Sequence, residues 1–454
     1  MSHSFFILMG LQSFNLYLSL RFNSLFICIF ILLRNKFVSV TGLKLIKKLQ
    51  KFISLRLIIC TINTTLTQYE ENSLYLQFKQ IFYSMPGLNH HRQPYDEGTL
   101  TKLELFEKYA EAWIPTFVMS RYSEIFIFDF FAGTGRDSEG IPGSAIRLLK
   151  QIDSQTGNIF KTKTKIHLVL NELDGEKYAT LKYHCESYIT EHPNLQRLPL
   201  VIEYCNEDVT TLFPKRLDQM RKNPALVYLD QNGVKFLADK YLLELEKMHT
   251  TDFMYFISSS YFLRFGETEQ FQNNITIDID RARKDPYNHI HRSVLKQLRE
   301  QIPDGSNFRL YPFTIKKNTN VYGIIFGASH PLAIDKFLRA AWSMNAINGE
   351  ANFDIDDEEN RCKPNLFDDG CPTKIEVFQN KLHRLIMSGR INDNVHAYTY
   401  TLLAGHIPDH AVQEIKKMKN DGLITYQSKS PCVNYDNAFK NKKIVKYTII
   451  KPEL

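Results

Sequence analysis

The 454-residue sequence lacks the cysteine patterns that bind zinc or build a disulfide framework. Its seven cysteines are an odd number, and no two of them stand in a C-x-x-C arrangement. Zinc sites and disulfide-rich folds both depend on thiols at characteristic spacings. The sequence therefore predicts no metal site and indicates reduced thiols in a cytoplasmic protein.

An excess of charge of one sign is also missing from most of the chain. Residues 1–84 contain nine lysines and arginines and only two acids, Glu70 and Glu71. Since the whole chain has 56 bases and 49 acids, subtracting these leaves 47 of each in residues 85–454. Global charge is thus no argument for nucleic-acid binding. The length exceeds that of one ordinary core, and the 44% hydrophobic content is typical of globular units.

The first 84 residues contain no proline, and their longest uncharged apolar run is short. That run, residues 22–33, lies between Arg21 and Arg34. A membrane-spanning helix needs about 20 apolar residues, so this segment would cross a membrane only if Arg21 lay within the spanning helix. Three interpretations compete: a membrane anchor, a targeting extension, and a stretch that precedes the true start. We favour the third, with Met85 as the start, because a polar, regularly patterned sequence begins there.

Short apolar runs alternate with amphipathic stretches between residues 124 and 258. This alternation predicts βαβ units and a parallel sheet. The expected strands cover residues 124–131, 165–170, 200–204, 225–230 and 253–258. A helix over residues 99–119 precedes them, with Thr99 or Thr101 as its N-cap, and Ser144 is the expected N-cap of the helix after the first strand.

Two further apolar runs, residues 308–315 and 321–328, flank the polar sequence KKNTN and predict an antiparallel hairpin. Five parallel strands closed by a hairpin are typical of the seven-stranded methyltransferase sheet. A dinucleotide-binding fold continues instead with a sixth parallel strand, which argues against a nicotinamide-dependent dehydrogenase. We therefore predict the α/β class, with a Rossmann-like methyltransferase domain over residues 85–349 and a helical insertion at about 259–307.

The C-terminal part of the chain has a different pattern. Residues 350–373 are acid-rich and apolar-poor, which predicts a linker. Residues 374–454 contain three helical stretches and then two β-rich runs, the order of a winged helix-turn-helix. Its third helix offers side chains that suit contacts to DNA or RNA, with protein contacts as the alternative. The candidate nucleic-acid residues are His410, Gln413, Lys416, Lys417 and Lys419.

The first predicted strand ends in a glycine turn, Asp129-Phe-Phe-Ala-Gly-Thr-Gly135. A cofactor that crosses a strand-to-helix turn needs backbone without Cβ atoms. The missing third glycine suits the methionine carboxylate of S-adenosylmethionine better than a pyrophosphate. We expect Asp129 to bind the cofactor's amino group, and Gly133, Thr134 and Gly135 to form the floor of its pocket. The alternative is a tight turn with no ligand.

Acids follow the other predicted parallel strands at the same edge of the sheet. Glu172 is placed to bind the ribose hydroxyls, and Asp208 to bind the adenine amino group. Asp230, after the fourth strand, is the candidate catalytic residue, because it is placed to accept a hydrogen bond from the methylated nucleophile. The alternatives are solvated loop acids and, for Asp230, a turn through Asn232-Gly233.

At these motifs the chain resembles the three-Cys-motif partner protein family (TcmP). The match covers roughly residues 95–345 and includes TKLELFEKYAEAWIP, IFIFDFFAGTGRDSEGIPGSA, NELD, VYLDQNG and FGASHPLAIDKFLRAAWSMNAINGEANFDID. The resemblance implies a methyltransferase-like fold and a bacterial cytoplasmic protein. It also implies a separate partner that bears three cysteines and resembles a radical-type iron–sulfur enzyme, with a role in nucleic-acid modification or defence. The family's fourth-strand motif begins Asp-Pro, and Gln231 departs from it, which weakens the role given to Asp230.

Two functional hypotheses remain open at this point. The leading one is a methyltransferase-like protein that binds S-adenosylmethionine and aligns a nucleophile with the methyl group, which requires few catalytic side chains. The rival is a non-catalytic adaptor whose sheet docks the partner protein while the winged helix binds DNA.

Overall fold

The computed structural model describes residues 94–230, 239–258, 278, 290–317, 320–363 and 371–450. All of them belong to one compact unit, Arg92–Leu454. The predicted N-terminal extension, residues 1–84, lies outside the described residues, as does most of the insertion predicted at 259–307.

The described residues contain a seven-stranded sheet with the order β3-β2-β1-β4-β5-β7-β6. Strands β1 to β5 pair in parallel, and β7 pairs antiparallel with both β5 and β6. The strands are β1 (Glu124–Asp129), β2 (Lys165–Asn171), β3 (Leu200–Cys205), β4 (Ala225–Leu229), β5 (Thr251–Ser258), β6 (Arg309–Lys317) and β7 (Asn320–Ala328). The prediction of five parallel strands and a closing hairpin is confirmed.

Helices cover both faces of the sheet, which explains why the central strands are apolar runs rather than alternating patterns. In β1, Ile125 and Ile127 pack into one core, and Phe126 and Phe128 pack into the core on the opposite face. The helices that precede, connect and directly follow these strands are α1 (Glu97–Val118), α2 (Ser144–Ser154), α3 (Thr156–Thr162), α4 (Gly175–Glu191), α5 (Pro193–Arg197), α6 (Val209–Lys222), α7 (Asp239–Glu246), α8 (Ile290–Glu300) and α9 (Pro331–Met344).

The ends of the first two helices differ from the prediction. Helix α1 is capped by Asp96, whose Oδ1 accepts a hydrogen bond from the Thr99 backbone N–H at 2.8 Å. Neither Thr99 nor Thr101 is the N-cap, because a suitable carboxylate precedes both of them. Ser144 is likewise the first residue of α2 rather than its N-cap, and its hydroxyl binds a carboxylate of the sheet.

The C-terminal segment consists of three helices and a small antiparallel pair of strands. These are α11 (Lys374–Met387), α12 (Asn394–Leu403), α13 (Pro408–Asn420), β8 (Ile424–Thr425) and β9 (Thr448–Ile449), and a short π-helix (Asp436–Lys440) lies between the two strands. The segment shares a hydrophobic core with the sheet domain. Tyr311 of β6 donates a hydrogen bond from its hydroxyl to the Leu402 carbonyl oxygen at 2.9 Å, which attaches the segment to the edge strand.

The first residues of the predicted linker are bonded to the sheet. Thr314 of β6 donates its backbone N–H to the Glu350 carbonyl at 2.7 Å and accepts one from Asn352 at 3.0 Å. A short helix, α10 (Glu358–Arg361), follows. Residues 364–370 lie outside the described part of the chain. Within the part that is described, no helix is both long and apolar enough to cross a membrane.

Candidate functional site

The strand order reverses between β1 and β4, although the two strands run parallel. From β1 the sheet continues to β2 and β3 on one side, and from β4 to β5 on the other. In open α/β sheets, ligands bind beyond the carboxyl ends of the strands at such a switch point. Asp129 ends β1, and Asp230 follows the last residue of β4. The candidate site is therefore the carboxyl edge at β1 and β4.

The turn after β1 has the bare backbone that the sequence predicted. Gly133 and Gly135 have φ angles of +62° and +78°, in the left-handed region where a Cβ causes strain. A Cβ on Gly133 would have no atom within 4 Å, so open space lies beside the backbone there. The Gly143 N–H donates to the Gly135 carbonyl oxygen at 2.8 Å and holds the turn against the start of α2.

Asp129 is buried and bonded within the protein. Its Oδ2 accepts a hydrogen bond from the Ser144 hydroxyl at 2.5 Å, and its Oδ1 accepts one from the Phe131 backbone N–H at 3.1 Å. Burial raises the pKa of Asp129 to about 7, and the charges of Asp230 and Glu172 add to this rise. The carboxyl group therefore connects the turn to α2, and its direct contact with a cofactor remains a prediction.

The Thr134 side chain is turned into its own loop. Its hydroxyl donates to the Arg136 carbonyl oxygen at 2.5 Å. The Thr134 carbonyl oxygen lies 2.7 Å from Nδ1 of His184 on α4. Thr134 thus fixes the shape of the turn through its hydroxyl group and its carbonyl oxygen.

Tyr95, just ahead of α1, lies over the glycine turn. Its backbone N–H donates to Asp137 Oδ2 at 2.8 Å. Its hydroxyl oxygen would lie 2.7 Å from a Cβ placed on Gly143, so the two residues are in close contact. Burial, together with the charges of Asp137 and Asp129, raises the pKa of Tyr95 to about 12. No sequence pattern pointed to Tyr95, because it precedes the first regular element.

Glu172 and Asp208 follow β2 and β3, as the sequence predicted. Glu172 is close enough for its charge to raise the pKa of Asp129, and its Oε1 accepts a hydrogen bond from the Asp174 backbone at 2.9 Å. Asp208 is the N-cap of α6 and accepts from the Thr210 backbone N–H at 2.8 Å. Asp208 thus has a structural role that the sequence analysis did not assign.

Asn171, which the sequence analysis missed, holds the ends of neighbouring strands together. Its buried amide donates to the carbonyl oxygens of Phe130 at 3.1 Å and Glu207 at 3.0 Å. Its Oδ1 accepts the Glu207 backbone N–H at 3.1 Å. A buried amide that satisfies three backbone groups makes this edge rigid.

Asp230 is paired with a lysine that the sequence analysis also missed. Lys102 of α1 forms an ion pair with Asp230 Oδ2, and the two side chains are 10% and 16% exposed. The Lys102 ammonium also lies 4.3 Å from the ring centroid of Phe256. Asp230 Oδ1 is buried and has no hydrogen-bond partner among the described residues.

The predicted nucleic-acid residues on α13 fall into two groups. Gln413, Lys416 and Lys417 are exposed, and Lys419 is half-buried, with its ammonium 4.0 Å from the Tyr426 ring centroid. These residues face away from the core of the C-terminal segment. Their contact with nucleic acid remains a prediction.

The prediction for His410 is wrong, because this side chain is in the core. It is 7% exposed and packs edge-on against the Trp342 ring, with the ring centroids 4.5 Å apart. Burial lowers its pKa to about 4. His410 is spaced four and eight residues from Glu414 and Met418, which are also buried, so all three lie on the face of α13 that packs against the core.

Across the described ranges, no three His, Cys, Asp or Glu side chains lie close enough together to hold a metal ion.

Comparisons with known proteins add structural neighbours but no family. No family model and no curated protein matches the chain. It is similar in structure to the methyltransferase domain of bacterial CtHen1, with 10% identity and a TM-score of 0.25 over 50% of this chain and 100% of that one. It is also similar to a Klebsiella pneumoniae protein classed as an O-methyltransferase, with 12% identity and a TM-score of 0.25 over 52% of this chain and 90% of that one. At such scores these likenesses add nothing to the fold class.

The strand order itself defines the class. The chain is a mixed α/β protein with a seven-stranded, mostly parallel sheet of the methyltransferase type and a separate two-stranded antiparallel sheet.

Proposed function

We propose that the protein binds S-adenosylmethionine at the turn after β1 and is methyltransferase-like in function as well as in fold. The observation that carries the proposal is the bare, left-handed turn at Gly133 and Gly135, at the switch point between β1 and β4. Open space beside Gly133 allows a ligand to approach the backbone. The buried, unsatisfied Asp230 Oδ1 nearby offers an acceptor for a donor group.

The residues at this edge fit the parts of such a cofactor. The backbone at Gly133 would lie against its methionine portion, Glu172 would bind the ribose hydroxyls, and Asp208 would bind the adenine amino group. S-adenosylmethionine would supply an electrophilic methyl group: its S–CH3 bond would break as the bond from the nucleophile to the methyl carbon forms, leaving a neutral thioether, and the proton of the nucleophile would pass to water. Asp230 would hold the nucleophile in line with that methyl group, which is the main requirement for such a reaction.

Titration calorimetry with S-adenosylmethionine tests the proposal. We expect the wild type to bind and Gly133→Ala to bind at least about ten-fold more weakly, because the new methyl group fills the open space beside the turn. Gly305→Ala is the matched control, since Gly305 also has a left-handed φ (+82°) and no atom near its Cβ position, and it precedes β6 at the opposite edge. Absence of binding by the wild type, or equal losses in the two variants, contradicts the proposal.

We further propose that the protein acts with an iron–sulfur partner that bears three cysteines, in a bacterial cytoplasm. This proposal is supported only by the sequence motifs shared with the three-Cys-motif partner family. Co-purification of the chain with a co-expressed iron–sulfur protein of this type, coloured by its cluster, is the test. Failure to form a complex under anaerobic conditions would contradict it.

A second candidate function is that of a non-catalytic adaptor that binds nucleic acid through a winged helix. The observation that favours it is a set of exposed lysines in the C-terminal segment. They lie on α13, at the end of the π-helix and on the loop that leads to β9: Lys416, Lys417, Lys440, Lys442, Lys443 and Lys446. If the protein is such an adaptor, it should bind DNA, and calorimetric titration with S-adenosylmethionine should give no heat of binding.

A further inference from the structure

The ion pair between Lys102 and Asp230 joins a helix that precedes the sheet to the centre of the candidate site. Lys102 belongs to the first turns of α1, whereas Asp230 follows β4. Both side chains are largely buried. Moving two charges out of water is unfavourable, so a buried pair is a weak source of stability.

The two oxygens of Asp230 have different surroundings. Oδ2 is bound by the Lys102 ammonium. Oδ1 is buried but accepts no hydrogen bond from any residue that the structure describes. An unsatisfied buried acceptor is destabilising, and more so when it is charged. A ligand that donates an N–H or O–H to Oδ1 would recover this free energy.

The lysine also determines what kind of donor suits the site. Asp129, which ends the neighbouring strand, lies close enough to Asp230 for the two charges to interact. Lys102 supplies the positive charge that offsets Asp230, so the pair as a whole is close to neutral. A neutral pair does not demand a cationic substrate, whereas an isolated carboxylate would favour one.

We propose that Lys102 is a positioning residue that binds one oxygen of Asp230, so that the other oxygen accepts a hydrogen bond from a neutral amine, amide or hydroxyl nucleophile. This inference rests on the proposed function and narrows its substrate class to nitrogen and oxygen nucleophiles. Lys102 acts on the substrate through Asp230, without touching it.

Two analogues of the cofactor, S-adenosylhomocysteine and sinefungin, can probe this position in the absence of the substrate. S-adenosylhomocysteine has a bare thioether where the methyl group is lost. Sinefungin carries an ammonium-bearing carbon in place of the sulfonium and its methyl, so it presents an N–H donor at the point of transfer. The measured quantity is the ratio of the two dissociation constants, obtained by calorimetry on the full-length protein.

We expect the wild type to bind sinefungin at least about ten-fold more tightly than S-adenosylhomocysteine. Asp230→Asn should bring the ratio close to one, because the charged acceptor is gone. Lys102→Met should raise the preference for sinefungin, since Asp230 then faces the ammonium without compensation. In the Asp230→Asn background, Lys102→Met should leave the ratio unchanged. Lys108→Met, on the same helix but half-exposed and paired with Glu104, should behave as wild type.

If Lys102→Met fails to fold, Lys102→Arg gives an independent readout. Its planar guanidinium can engage both carboxylate oxygens, so we expect it to occupy Oδ1 and to lower the preference for sinefungin. Equal ratios in the wild type and Asp230→Asn overturn the inference, as does a Lys102→Met effect that persists without Asp230. If the wild type binds neither nucleoside, both the proposed function and this inference are contradicted. Binding of both without preference overturns only the inference.

Discussion

The indole Nε1 of Trp342 donates a hydrogen bond to the carbonyl oxygen of Gly405 at 3.0 Å. This bond joins the last turns of α9 to the turn between α12 and α13. The Lys374 ammonium lies 5.4 Å from the centroid of the same ring. The C-terminal segment is therefore fixed to the sheet domain around one aromatic side chain, and the surface of α13 is held in a defined place.

The close approach of backbone to this ring gives a first prediction. Gly349 has a φ of +59°, and a Cβ there would lie 2.3 Å from the Trp342 ring. Gly349→Ala should therefore destabilise the protein by about 2–4 kcal/mol through overpacking and backbone strain, measured by urea unfolding. Gly389→Ala is the matched control, because its φ is +74° but no atom lies near its Cβ position, and it should cost about 1–2 kcal/mol. Equal losses in the two variants would contradict the packing argument.

The buried carboxyl group of Asp252 gives a prediction about pH. Its Oδ2 accepts a hydrogen bond from the Tyr109 hydroxyl at 2.7 Å, and burial raises its pKa to about 7. The folded protein binds the proton of Asp252 more tightly than the unfolded chain does. Protonation therefore contributes its full stabilisation of the fold below about pH 4, and this stabilisation is lost as the pH rises through 7.

Asp252→Asn should remove this dependence. Between pH 5 and pH 8, the free energy of unfolding of the wild type should fall relative to that of the variant by about 1–3 kcal/mol. Asp421→Asn, at an exposed position after α13, should show no such difference. A wild type that gains stability over Asp252→Asn as the pH rises would show that the carboxyl is charged in the folded state.

The central strands of the sheet were predictable because they are buried on both faces. A run such as Ala225–Leu229 is fully apolar, and such runs remain recognisable whatever helices cover them. The caps were less predictable, because several hydroxyl and carboxyl groups compete at each helix end. Ser144 has the right chemistry for a cap, but its hydroxyl binds Asp129, fifteen positions earlier in the chain.

The site was predictable only in part, for a related reason. Asp129, Glu172 and Asp230 could be found because the carboxyl ends of parallel strands meet at one edge. Lys102 and Tyr95 lie at the same edge but belong to a segment that precedes the sheet. No local sequence pattern predicts that this segment packs against the carboxyl ends of the strands. The error at His410 comes from helical phase, since the sequence shows which residues lie on α13 but not which of them face Trp342.

Two asparagines at the carboxyl edge make the same kind of contact at different depths. Asn171 donates to the carbonyl oxygens of Phe130 and Glu207 and is 2% exposed. Asn206 is exposed and donates to the carbonyl oxygens of Glu172 and Leu173 at 2.7 and 2.8 Å. Replacement by aspartate turns each donor into an acceptor that faces two carbonyl oxygens.

The buried position should suffer more, because water cannot relieve the repulsion there. We expect Asn171→Asp to cost about 3 kcal/mol or more, and Asn206→Asp about 1 kcal/mol. Chemical denaturation of both variants at pH 8 measures the difference. Similar costs at the two sites would indicate that Asn171 is not the rigid link that its contacts suggest.

The exposed lysines of α13 give the last prediction, which separates nucleic-acid binding from protein contacts. If Lys416 and Lys417 each neutralise a DNA phosphate, the slope of log affinity against log salt should become shallower by about 2 in the double variant Lys416→Gln/Lys417→Gln. Fluorescence anisotropy with a labelled duplex, over a series of salt concentrations, measures this slope on the full-length protein. Lys161→Gln/Lys182→Gln is the control, because it removes the same charge from exposed positions on α3 and α4. Equal changes in the two double variants would mean that only net charge matters. No binding by the wild type at low salt would instead assign the surface of α13 to a protein partner.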